Sequence, residues 1–146
     1  MDGDGFASRM IIGEDGKPTN EMKMDDGSVS VGSYDLVPLL DDFIKEHPDF
    51  SYRGAKACIA FTGYNGILGY RTQTDQDVEW TAEREANRQK EIEAVKPIIA
   101  ELKRTGWTFG SHTWGHIRLG TKSLESIQAD TQRWFDEVGS LVGPTT

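Results

Sequence analysis

The chain has 146 residues, 36% of them hydrophobic and 27% charged, with a formal net charge of −8. That balance describes a globular domain with a hydrophobic core, and the acidic excess, with Lys and Arg scattered, argues against nucleic acid or an anionic membrane as partner. No run approaches the roughly 20 apolar residues of a membrane span, MDGDGFASR has no signal-peptide core, and a single cysteine excludes an internal disulfide framework.

Residues 1–34 are rich in glycine and aspartate. Two turn signals, Asp15-Gly16 and Asp26-Gly27, punctuate the segments Arg9 to Ile12, Glu21 to Met24 and Val29 to Val31. This pattern predicts a small hairpin or meander beside the main sheet, a decoration set apart from residues 35–146. Asp2, Asp4, Glu14, Asp15, Asp25 and Asp26 lack the spacing of a calcium loop and read as solvated turn residues. Asp35 then precedes Leu36, Val37, Leu40, Phe43 and Ile44 at helical spacing, with Pro38 in the first turn and an end near His47-Pro48. His47, in the last turn, suits the negative end of that helix and is assigned a structural role.

Ala55 to Thr62 is an apolar run of strand length, which suits a parallel strand covered on both faces, with Cys58 as a buried small hydrophobe. The segment after it, Gly63 to Arg71, leaves the strand's carboxyl end, where α/β folds place ligand loops. Its Tyr64 and Tyr70 read equally as faces for sugar stacking and as ordinary aromatic packing. A long helical pattern from Val78 to Thr105 is polar in its first half and apolar at Ile92, Val95, Ile98 or Ile99, and Leu102; Pro97 predicts a kink or break near Lys96. Trp107 to Ser111 is a strand. Ser123 is a helix N-cap, followed by Leu124, Ile127, Trp134, Val138 and Leu141 on one face and a stop near Gly143-Pro144.

Between that strand and that helix stand His112 and His116, in Ser111-His112-Thr113-Trp114-Gly115-His116. Two neutral imidazoles on one short bend can converge on a divalent ion such as Zn²⁺ and leave positions open for water and substrate. They are one ligand short of the usual protein complement for catalytic zinc. The metalloprotease pattern, with Glu after the first His on a helix, does not apply, because Thr113, Trp114 and Gly115 lie between the histidines and a β-favouring run precedes them.

The run Gly106-Trp107-Thr108-Phe109-Gly110-Ser111-His112-Thr113-Trp114-Gly115-His116, followed by Leu119, Ser123-Leu124 and an amphipathic helix, resembles the second motif of the polysaccharide deacetylases, the NodB-homology or carbohydrate esterase family 4. The resemblance implies that His112 and His116 bind the metal, most simply zinc, and that Thr113 is the hydroxyl residue that steadies the loop. It implies an α/β fold, part of a distorted (β/α) barrel with mostly parallel strands and helical crossovers. It also implies a hydrolase that removes acetyl groups from an acetylated polysaccharide, placed outside the cell or in its envelope. The family's first motif, an Asp-Asp pair on a strand, has no counterpart here: Asp2-Gly3-Asp4 is not such a pair and Asp41-Asp42 sits in a helix. The expectation is therefore an excised piece of a larger deacetylase, lacking the general base, the later motifs and the general-acid histidine, and inactive alone.

Two other readings stand beside it. A noncatalytic module of the same fold would hold carbohydrate on Tyr64, Tyr70, Trp80 and Trp114, and a plain structural domain would use both histidines only in the turn. Two strong strands cannot close a barrel, so uncovered apolar sheet edges predict self-association into a homo-oligomer.

Overall fold

The computed structural model describes residues 7–143, so Asp2, Asp4 and Pro144 lie outside the described residues. Three strands, β1 (Arg9–Ile12), β2 (Pro18–Lys23) and β3 (Val29–Gly32), form an antiparallel sheet in that order. Gly16 and Gly27, both at positive φ, make the turns that the two Asp-Gly pairs announced. The N-terminal unit is thus a three-stranded meander, and it shares a core with the rest: Met10 is buried in the same cluster as Phe61, Val95, Leu102, Trp107, Phe109 and Trp134.

Helix α1 (Leu36–Glu46) begins where Asp35 accepts the Leu36 N–H and ends at His47. Val37 and Pro38 are buried, whereas Leu36, Leu39 and Phe43 are exposed, so the apolar series covers less than its spacing predicted. His47 is exposed at the helix end with its ring 4.5 Å from that of Phe43. Asp41 accepts the Trp107 indole N–H and pairs with Lys56, which ties α1 to the core. Asp42 takes the Ser33 hydroxyl.

The second sheet is the parallel pair β4 (Cys58–Phe61) and β5 (Thr108–Ser111), joined by α2 (Ala82–Arg104). The strands that follow the meander are parallel and joined by a helix, as expected, the antiparallel ones all belong to the N-terminal meander, and no barrel closes among the described residues. A parallel pair with one free edge on β4 leaves part of that strand uncovered. Cys58 and Ala60 are exposed, not buried, because helices cover only the face that carries Phe61.

Thr81 caps α2 by accepting the Arg84 N–H, and the helix runs unbroken through Pro97. A break there is not found. Pro97 lies on the exposed side, where water can take the carbonyl that loses its partner, while Ile92, Val95, Ile98, Ile99 and Leu102 hold the buried side. After β5, α3 (Leu124–Trp134) starts at a Ser123 cap and passes into a π turn, Phe135–Gly139, and a last α turn, Ser140–Val142. The wider π turn puts Trp134, Val138 and Val142 on the buried line, and Gly143 at φ 70 ends the helix.

Candidate functional site

Because β4 and β5 run in parallel register, Phe61 opposite Ser111, their carboxyl ends meet. The Phe61 carbonyl accepts both the His112 N–H at 2.9 Å and the buried Trp134 indole N–H at 2.8 Å, so the first histidine starts from a fixed point. The turn beyond it is strained: Thr113 and His116 stand at φ 61 and 54, and left-handed backbone costs a non-glycine residue about 1–2 kcal/mol. Hydrogen bonds offset this. Ser111 Oγ accepts the Thr113 N–H at 3.2 Å, and Thr113 Oγ1 accepts the Ile117 N–H at 3.0 Å across His116. The Asp130 carboxylate, reaching over from α3, accepts the Trp114 and Gly115 N–H groups, each at 2.7 Å. Hydrogen bonds to a charged group contribute about 1.5–3 kcal/mol each, so this carboxylate alone can hold the strained turn.

The outcome is that the rings of His112 and His116 lie together, centroids 4.8 Å apart and tilted by 38°, both exposed to solvent. Their nitrogens suit a zinc-type ion. The donor set is a partial fit: among the described residues no group of three or more His, Cys, Asp or Glu side chains could hold a metal.

Trp114 sits inside a network. Its indole N–H donates to Glu137 at 2.8 Å, the Arg133 guanidinium stacks 3.4 Å from its ring centroid, and Gly63 lies so close that a Cβ there would be 2.1 Å from the indole. Glu137 also accepts the Thr74 hydroxyl and Arg133 Nε, and Arg133 reaches the Thr74 carbonyl at 2.9 Å. The half-buried Trp114 ring is thereby held in packing contacts on the side that faces α3. Of the two readings of Tyr70, sugar stacking and aromatic packing, its surroundings favour packing: it is 4% exposed, donates its hydroxyl to the Met10 carbonyl at 2.9 Å and lies under Arg9. Burial raises its hydroxyl pKa above the ordinary value. Tyr64 stays open, 45% exposed, on a cleft of about 1000 Å³ between the meander and the end of β4; neither histidine lines that cleft. Its backbone N–H donates to the Trp114 carbonyl at 3.1 Å, so the two loops touch. Trp80 is exposed just before α2, with its indole N–H on Glu85.

Sequence reasoning missed Asp130, Arg133, Glu137 and Thr74. The signal was available in part: Asp130, Arg133, Trp134 and Glu137 recur at three- and four-residue intervals and so share one helix face, but only the apolar members of that stripe were read as contacts. The sequence model of the polysaccharide deacetylase family matches residues 72–146, just over half of the chain, which takes in α2, β5, the histidine turn and α3. No curated protein and no solved structure matches the chain.

Proposed function

The chain belongs to the polysaccharide deacetylase family, and we propose that His112 and His116 are two ligands of a divalent metal, most simply zinc, in a site that hydrolyses acetyl groups on a carbohydrate polymer. The observation that supports this reading is the pair of exposed imidazoles 4.8 Å apart on a turn whose backbone is held by hydrogen bonds from several directions. A bound zinc supplies a Lewis acid for the acetyl carbonyl and a water of lowered pKa. The chain's own residues supply position. β5 and the Phe61 carbonyl fix His112, Thr113 closes the turn around His116, and the outward exposure of both rings leaves room for a polymer to approach from solvent.

Among the described residues no carboxylate joins the two histidines. On the reading that the described residues supply neither a third ligand nor a general base, turnover by this chain alone is expected near background. Zinc binding is the separable test. Calorimetry on metal-stripped protein should give submicromolar binding that is lost in His112→Ala and in His116→Ala. Binding that is absent, or that survives both substitutions, would remove the metal from the proposal and leave the histidines with a structural role.

A further inference from the structure

Resting on that metal reading, we infer that Asp130 is a positioning residue for the histidine turn: its carboxylate sets the backbone that places His116 opposite His112. Both carboxylate oxygens are used, Oδ1 on the Trp114 N–H and Oδ2 on the Gly115 N–H, each at 2.7 Å, the two amides immediately before His116. Two adjacent amides can aim at one carboxylate only if the chain turns around it. The turn this enforces is the one that carries Thr113 and His116 into left-handed backbone. Asp130 is itself held. It lies four residues before Trp134, which is anchored by its indole on the Phe61 carbonyl, and three before Arg133, which stacks on Trp114. The same Phe61 carbonyl receives the His112 N–H. One helix thus fixes the start of the turn through Trp134 and its end through Asp130, so α3 sets the spacing of the two rings together with the turn's own Ser111 and Thr113. Gly115 fits this role: a Cβ there would stand 3.0 Å from Asp130 Oδ2, tight against the oxygen that its own N–H must reach.

The role differs from general support of the fold. Asp130 is partly buried and accepts from no side chain among the described residues; it acts on two backbone amides at the site. A carboxylate that orients a metal ligand without touching the metal is worth about tenfold to a hundredfold in affinity.

The test uses the full chain and two variants, Asp130→Asn, which keeps the shape, and Asp130→Ala. Zinc calorimetry should show affinity weaker by about tenfold to a hundredfold, with Asp130→Asn the milder. Amide hydrogen exchange without metal should show faster exchange at Trp114 and Gly115, with Val95 and Leu102 of the core unchanged. Asp130→Glu should restore part of the zinc affinity. Zinc affinity in Asp130→Asn within twofold of the parent, or unchanged exchange at Trp114 and Gly115, would overturn the inference. If the parent chain takes no zinc through His112, the metal reading itself falls, and exchange at those two amides still decides whether Asp130 holds the turn.

Discussion

Two loops leave the carboxyl ends of the parallel strands side by side, and they are built on opposite plans. The loop after β4 folds inward: Ile67, Tyr70 and Thr72 are 2%, 4% and 1% exposed, and Ile67 pairs with Tyr70 in an isolated bridge. Its positive φ angles fall mainly on glycines. Gly66, at φ 74, comes so near the Tyr70 carbonyl that a Cβ would stand 1.9 Å from it. The loop after β5 turns outward, and there the left-handed positions are a threonine and a histidine, held by side-chain oxygens of Ser111, Thr113 and Asp130. Where a loop serves packing, glycine allows the backbone to close on itself without strain. Where it presents side chains to solvent, those side chains cannot be glycine, and neighbouring polar groups must offset the strain they carry.

The contrast can be broken by substitution. The largest effect is expected at Gly66→Ala, which puts a methyl into the Tyr70 carbonyl at a backbone angle that disfavours it. Urea unfolding should show a loss of about 3 kcal/mol or failure to fold, and a loss below about 1 kcal/mol would mean that the inward loop is not glycine-dependent. Next comes Tyr70→Phe, which strands the Met10 carbonyl in the core. A loss of about 1 kcal/mol is expected, with no change in binding of an acetylated oligosaccharide; weakened glycan binding at unchanged stability would favour sugar stacking over packing at Tyr70. His112→Ala, on the outward loop, should move the unfolding free energy by less than about 0.5 kcal/mol while removing zinc binding. A large stability loss there would erase the distinction between the two loops.

How far the sequence carried depends on the kind of interaction. Local signals are legible: the Asp15-Gly16 and Asp26-Gly27 turns and the Asp35 and Ser123 cap positions all act within a few residues. The Thr81 cap is less legible, because a polar first half blurs the start of α2. Burial was less legible. The apolar run around Cys58 predicts a covered strand only if both faces of the sheet carry a layer, and the face of β4 that carries Cys58 and Ala60 is exposed. The histidine turn was legible as a motif, but its supports were not. Asp130 and Glu137 lie 15 and 23 positions from the groups they bind, and a carboxylate on a helix looks the same in sequence whether it meets water or an amide.

The smallest expected effect lies on the crossover between the two loops. Hydrogen bonds from Arg88 first, then Gln89 and Trp80, lower the Glu85 pKa from 4.5 to about 2. A depressed folded-state pKa contributes stability that is present above the unfolded value and lost as pH falls towards about 2. Trp80 fluorescence should therefore report local release across that window, and Glu85→Gln should flatten the profile. An identical profile in the variant would show that this cluster does not govern the start of α2.

The long crossover also has a consequence in time. In the meander Met10 finds Asn20, a close neighbour along the chain, whereas in the parallel pair Cys58 must find Thr108 across the whole of α2. Pairings distant in sequence form slowly, because the entropy of closing the intervening chain is lost before any contact repays it. The meander can assemble early; β5 and the Phe61 carbonyl that both His112 and Trp134 use come late. The two imidazoles therefore meet only at the end of folding, and a metal that needs both would report the arrival of the native state more faithfully than the appearance of helix or strand.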